Sequence, residues 1–145
     1  MAGMTARLWR TASRMSVSLY RSSGGKIGGR ARGGQPVLIL TTPGRKSGVP
    51  HSVPVGYVER DGSYYLAASA GGAKKDPQWI RNLRTASTAT MEIGRNRRTV
   101  DVQVLRGAER DAAWTDIIVK AYPYFADYET KSGRTIPVAR ITPAS

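Results

Sequence analysis

The chain has 145 residues, enough for one domain that buries a real core without external staples. It has no cysteine and one histidine, His51, which excludes disulfides, a thiolate nucleophile, and cysteine or histidine metal clusters. The net charge of +13 is lopsided, because residues 1–58 hold nine Lys/Arg and no acid before Glu59; the expected partners are anionic.

In chain order, residues 4–21 place Leu8, Ala12, Met15 and Leu19 at helical spacing, with Trp9 and Tyr20 beside the stripe and Arg7, Arg10 and Arg14 near it. This is the pattern of a basic amphipathic helix. It suits either an anionic membrane surface or the protein's own core. Residues 22–34 are rich in glycine and basic groups and read as a flexible linker, so residues 1–34 are set apart from a domain spanning 35–145. No apolar run approaches the ~20 residues of a membrane span, and no signal-peptide core is seen. A cytoplasmic protein, soluble or held at a membrane surface, is expected.

Strands are predicted at Pro36–Thr42, Pro50–Glu59 and Ser63–Ser69, the last two joined by the Arg60-Asp61-Gly62 turn. A loop from Ala70 leads to a short helix with Asp76 as N-cap, Pro77 at the first helical position, and Trp79, Ile80 and Leu83 facing inward. Thr88–Ile93 and Arg97–Leu105 form a further hairpin. Trp114, Ile117, Ile118, Ala121 and Tyr122 mark a helix that Pro123 ends. The aromatic segment Tyr124–Tyr128 leads to a last strand, Thr135–Thr142. The order βββ-α-ββ-α-β argues an α+β, mainly β chain: one small antiparallel barrel with flanking helices.

Most catalytic constellations are absent. There is no G-x-S-x-G elbow, no P-loop, and no G-x-G-x-x-G between a strand and a helix. The few carboxylates are scattered. An enzyme of this composition must take its hard chemistry from a bound organic cofactor and supply position and electrostatics itself. Three segments suit that. Gly44-Arg45-Lys46-Ser47-Gly48 is a glycine-bracketed turn with two adjacent cations, fit for a phosphate. Ala67-Ala68-Ser69-Ala70-Gly71-Gly72-Ala73 is a strand end without bulk, against which a flat ring can lie. The segment Tyr122 to Tyr128 can close over a planar apolar substrate. Each has a plainer reading, as a solvated hairpin, close packing and core aromatics. Their co-occurrence in one short barrel is what points to a cofactor site.

Together with Lys75-Asp76-Pro77-Gln78-Trp79, Asn82-Leu83, Tyr122-Pro123, Asp127-Tyr128 and Arg134-Thr135-Ile136-Pro137, these segments resemble the deazaflavin-dependent nitroreductase family of actinobacteria. The likeness runs in consistent order from about Pro36 to Ile141 and does not need residues 1–34. It implies the split β-barrel of flavin-binding (FMN-binding-like) oxidoreductases. It also implies coenzyme F-420, a 5-deazaflavin with a phosphate and a polyglutamate tail. On this reading Arg45, Lys46 and the N–H groups of Ser47 and Gly48 hold the tail, with His51 nearby. Val53 and Pro54 line one side of the ring, and Ala67, Ala68 and Ser69 lie along it. Gly72, Ala73, Lys75, Gln78 and Trp79 shape the pocket at the helix start, and Tyr122, Phe125 and Tyr128 roof the substrate. The implied reaction is hydride transfer from the reduced deazaflavin to a quinone such as menaquinone, an activated alkene or a nitroaromatic. Tyr128 or water would protonate the product.

The chain departs from the family pattern at three positions. His51 stands where arginine is common, Ala70 where lysine is common, and Phe125 where a tyrosine hydroxyl would face substrate. The first two remove cations from the tail site. The third weighs against nitroimidazole-type drugs and leaves quinones as acceptors. The rivals are an FMN enzyme on the same barrel, a cofactor carrier without turnover, and a basic nucleic-acid-binding module. The last lacks the aromatic-basic strand motif of an RNA-recognition sheet and any helix-turn-helix pattern, so no nucleic acid is expected. Either a monomer or a homodimer fits the sequence.

Overall fold

The computed structural model describes residues 14–144, the first ten of which form helix α1 (residues 14–23). The strands are β1 (Val37–Pro43), β2 (Pro50–Gly56), β3 (Val58–Arg60), β4 (Ser63–Ala67), β5 (Thr88–Ile93), β6 (Asn96–Val104) and β7 (Val138–Pro143). The further helices are α2 (Gln78–Leu83), α3 (Gly107–Ala113, continued by a π-helical stretch, Trp114–Val119) and α4 (Phe125–Ser132). All these strands pair antiparallel in one sheet of order β2-β1-β5-β6-β7-β4-β3. Its two outer strands, β2 and β3, are consecutive in the chain and separated only by Tyr57. The sheet must therefore curl until its ends approach, which makes the barrel expected from the element order.

β1 shows why the barrel needs helices outside it. Val37, Leu38, Ile39 and Leu40 are all buried, although neighbouring side chains on a strand point to opposite faces. Leu38 and Leu40 enter the barrel core with Leu66, Ile80, Leu83, Val100 and Ile141. Val37 and Ile39 lie on the other face, against Val17 and Tyr20 of α1. On the far side, Trp114, Ile118, Phe125, Ile136 and Val138 join α3, α4 and β7 in a second cluster. Buried Arg110 staples it, donating to the Ile136 carbonyl (3.0 and 2.6 Å) and pairing with Glu129 on α4 at 2.9 Å.

Several expectations change. The apolar stripe of the first helix is not its buried face: Met15 and Leu19 are 61% and 47% exposed, whereas Val17 and Tyr20 are 5% and 2% exposed. Tyr20 outweighs the stripe because its hydroxyl reaches the Val37 carbonyl at 3.1 Å and accepts from the Gly94 N–H at 2.9 Å. Leu8, Trp9 and Ala12 lie outside the described residues. The stretch after α1 does not run free of the barrel. Val37 N–H donates to Gly29 O at 3.0 Å, Arg30 bridges to Pro36, and Arg32–Gly34 form a single 3-10 turn.

The long strand Pro50–Glu59 is broken at Tyr57, whose ring turns into the core against Tyr64 at 5.4 Å between centroids. From Phe125 the Tyr124–Tyr128 segment winds into α4, a helix absent from the predicted elements. The last strand consequently starts at Val138, later than expected. Asp76 does not cap α2, where Pro77 occupies the N-cap position and no side chain supplies the cap. Its carboxylate is taken by two arginines, Arg134 at 2.6 Å and Arg84 at 3.0 Å.

Candidate active site

The turn between β1 and β2 is built by its own backbone. Gly44 N–H donates to Val49 O at 2.9 Å, Gly48 N–H to Gly44 O at 2.8 Å, and Val49 N–H to Ser47 Oγ at 3.2 Å. Gly48 holds φ +74, a conformation that disfavours any side chain. The Gly48 N–H, expected to face the anion, is thus spent within the turn. Gly44 is fixed sterically too, since a Cβ there would sit 3.0 Å from both His51 Nε2 and Ser47 Oγ.

Arg45 does not wave in solvent. Its Nη1 donates to Gln78 Oε1 at 2.7 Å and to Asn82 Oδ1 at 2.9 Å, and its backbone N–H also reaches Asn82 Oδ1 at 3.3 Å. Asn82 is buried and donates in turn to Thr42 Oγ1 at 3.4 Å. Thus α2 aims the Arg45 guanidinium and leaves its other N–H groups for a ligand. Lys46 and Lys75 are exposed on the neighbouring loops. Gln78 was expected at the site; Asn82 was not among the expected binding residues, and as a buried polar residue on an apolar helix face it was the available signal.

On β2 the two expected ring neighbours separate. The register sets His51 opposite Thr42 and Val53 opposite Leu40, on the face that α2 covers. Pro54, opposite Ile39, falls on the other face, where α1 packs. A period of two keeps adjacent residues from lining one wall.

The second half of the site is an open cleft of about 160 Å³. Ala67, Ser69 and Gly71 form one wall and Tyr124, Phe125 and Tyr128 another. Phe125 and Tyr128 reach it together because they lie one turn apart on α4. Tyr122 stands behind them, 5.9 Å from Tyr124 between centroids, and Tyr124 takes the place expected for it. Burial pushes the Tyr124 phenol above the usual tyrosine range, so it is neutral throughout the physiological range.

A third wall was not foreseen. Ala31, Arg32 and Gln35, from the stretch before β1, complete the lining together with Gly56. Tyr124 Oη donates to the Arg32 carbonyl at 2.7 Å, and the Arg32 side chain returns to donate to Tyr128 Oη at 3.2 Å. That hydrogen bond raises the arginine's already high pKa. Gln35 is buried, bonds the Tyr57 carbonyl at 3.4 Å, and fits only because Gly56 has no Cβ, which would meet Gln35 Oε1 at 2.5 Å. The glycines of Arg32-Gly33-Gly34 hid this wall in the sequence. They serve close approach here, since a Cβ on Gly33 would stand 3.0 Å from the Tyr124 ring.

The loop from Ala68 to Pro77 joins the cleft to α2 and its grip on Arg45. Ala70, Gly71 and Gly72 all have positive φ, and a Cβ on Gly72 would meet Lys131 Cδ of α4 at 2.9 Å. Arg134 clamps this loop from behind, donating to the carbonyls of Ala68 (2.9 Å), Ser69 (3.3 Å) and Ala73 (2.9 Å) while pairing with Asp76. Ala73 and Lys75 are exposed along the loop, and Trp79 is half-buried against the barrel core.

A curled antiparallel barrel with flanking helices, an oriented cation at one end and a small-residue, aromatic-roofed cleft at the other define a split-barrel protein with a cofactor-sized groove. The fold alone is shared with a Listeria innocua protein assigned as a pyridoxamine 5'-phosphate oxidase, at 15% identity and a TM-score of 0.51 over 75% of this chain and 84% of that one. The family model described as F420H(2)-dependent quinone reductase matches residues 12–143, and the chain belongs to that family. A Mycobacterium tuberculosis protein named for the same activity is 33% identical over 118 residues, 81% of this chain and 98% of its own. A solved F420-H2 dependent reductase (FDR-A) is 37% identical, with a TM-score of 0.65 over 73% of this chain and 93% of that one. Another structure, titled as a domain-swapped dimer, is 31% identical, with a TM-score of 0.67 over 88% of this chain and 94% of its own.

Membership makes the chain a deazaflavin-dependent oxidoreductase with coenzyme F-420 as its cofactor. The residues present fit that group. Arg45, Lys46 and Lys75 suit a polyanionic tail, and nothing lies within 4 Å of a Cβ built on Gly71, leaving room beside the cleft wall for a flat ring.

Proposed function

We propose that the protein passes a hydride from reduced coenzyme F-420 to a quinone of the menaquinone type, and that the residues above divide the work. The observation that carries this reading is one continuous loop, Ala68–Pro77, with a flat small-residue cleft at one end and the α2-held Arg45 at the other. Arg45 and Lys46 grip the anionic tail, with His51 and Ser47 beside them. Val53, Ala67, Ser69, Gly72, Ala73, Lys75, Gln78 and Trp79 border the ring and its approach, whereas Ala68, expected beside them, is fully buried in the barrel core. When bound, the reduced deazaflavin supplies two electrons and a hydrogen as hydride. The chain supplies alignment of donor and acceptor, shelter from water, and a proton.

The cleft suits a quinone: Phe125 and Tyr124 offer aromatic faces, and Tyr128 offers a hydroxyl at the rim. Anaerobic mixing of the protein, reduced coenzyme F-420 and a soluble menaquinone analogue tests the reading, with cofactor reoxidation followed by absorbance. Reoxidation no faster than without protein would overturn it. Tyr128→Phe should lower kcat by roughly a hundredfold or more, the loss of one general acid, with cofactor affinity intact. Unchanged turnover would remove Tyr128 as the proton donor.

Among the described residues no helix is long and apolar enough to cross a membrane. A membrane-surface contact is supported instead by α1, where exposed Met15 and Leu19 lie one turn apart with Arg14 beside them. Such a contact would hold the protein at the surface of the bilayer in which a lipid-soluble quinone dissolves. Co-sedimentation with phosphatidylglycerol vesicles, weakened in Met15→Ser/Leu19→Ser, is expected; a protein left in the supernatant would exclude it.

A further inference from the structure

The third wall of the cleft carries a charge that the proposed reaction needs. A quinone that accepts a hydride gains two electrons and one hydrogen. It therefore holds one full negative charge on oxygen until a second proton arrives. A group that meets this oxygen with positive charge acts on the reduced acceptor more than on the neutral quinone, and such differential binding is what lowers a barrier.

Arg32 stands where that group would be. Its guanidinium carbon lies 4.5 Å above the Tyr124 ring centroid and 5.7 Å from that of Tyr128, both rings of the cleft. Tyr124 holds the Arg32 carbonyl from below, so the side chain is anchored at its backbone and returned over the aromatic wall. Among the described residues no carboxylate lies within salt-bridge distance of Arg32, in contrast to Arg21, Arg84, Arg110 and Arg134. One N–H goes to Tyr128, and a guanidinium carries five.

We propose that Arg32 is a catalytic residue of the acceptor site: with Tyr128 it binds the oxygen of the quinone that becomes anionic. Tyr128 Oη gives its proton to that oxygen, completing the hydroquinone, and recovers one from water while Arg32 balances the transient phenolate. The stretch before β1, a linker by composition, thereby supplies part of the active site. This rests on the quinone-reductase reading above.

The test uses the full chain saturated with oxidised coenzyme F-420 and two probes of nearly equal shape. One is 1,4-naphthoquinone, neutral; the other is 2-hydroxy-1,4-naphthoquinone, an anion at neutral pH that stands in for the reduced acceptor. Dissociation constants come from quenching of protein fluorescence. Arg32→Ala should weaken the anion by about tenfold or more, the worth of a charge-assisted hydrogen bond, and leave the neutral quinone within about threefold. Arg32→Lys should restore part of the anion's affinity, and Arg32→Ala should lower kcat for quinone more than it raises KM. Equal losses for both probes would make Arg32 a mere wall, and no loss for either would place it outside the site; both outcomes overturn the proposal. Coenzyme binding and quinone turnover by the unaltered protein are measured alongside. Their absence would defeat the parent reading, whereas their presence with an unaltered Arg32→Ala profile defeats only this one.

Discussion

Replacing Arg45 with alanine is expected to raise the dissociation constant of coenzyme F-420 by roughly one to two orders of magnitude, while a tail-less 5-deazaflavin binds almost as before. The size follows from the loss of a fork-shaped, permanently charged donor facing phosphate or carboxylate, where each charge-assisted hydrogen bond contributes about 1.5–3 kcal/mol. The selectivity follows from the geometry. Arg45 sits on the β1–β2 turn, and its partners Gln78 and Asn82 belong to α2 rather than to the cleft walls. One feature sharpens the dependence on this residue: the Gly48 N–H is already bound within the turn and leaves more of the grip to the guanidinium. Asn82→Ala should show a weaker form of the same effect, since it frees the guanidinium to adopt other rotamers and makes binding cost side-chain entropy. Anaerobic fluorescence titration of both ligands checks this. Equal loss of tailed and tail-less cofactor in Arg45→Ala would move the tail elsewhere.

The features legible in the sequence were those with a local cause. The hairpins follow from alternation and from Asp61-Gly62 and Gly94 turns, and Arg45-Lys46 announced itself as two cations in a glycine bracket. What stayed hidden depended on distant partners. Asp76 before Pro77 has the form of a helix cap, yet Arg134, 58 residues later, competes for its carboxylate and wins because a paired charge outweighs a cap. Tyr20 lies off the stripe of its helix and is buried because Gly94 and Val37 offer its hydroxyl partners. Tyr124 through Tyr128 hold a single strong helix former, Ala126, and α4 is held by Arg110 pairing with Glu129 and by Phe125 packing at 6.2 Å on Trp114. Arg32 was hidden by composition, because glycines that permit close packing look the same in a sequence as glycines that confer flexibility.

Arg134 should show the other large effect, of a different kind. It is 15% exposed and binds three carbonyls and the Asp76 carboxylate, so it fixes Ala68, Ser69, Ala73 and Asp76 in one arrangement. Arg134→Ala takes this donor from the Ala68 and Ala73 carbonyls, leaves the Ser69 carbonyl with the Gly72 N–H and leaves Asp76 with only Arg84. A stability loss of about 2–3 kcal/mol in urea unfolding is expected, below the figure for a fully buried pair because the site is partly wet. Arg134→Lys should recover little of it, since one ammonium cannot span acceptors arranged around a planar fork. The functional consequence separates Arg134 from Arg45. A loosened Ala68–Asp76 loop no longer presents a preformed wall to the ring, so tailed and tail-less deazaflavins should weaken together, by about tenfold, as ordering the loop becomes part of binding. Titrating both ligands below the unfolding transition keeps the two losses apart. Full affinity for the tail-less ring in a destabilised Arg134→Ala protein would reduce Arg134 to a structural strut and place the ring against some other wall of the barrel.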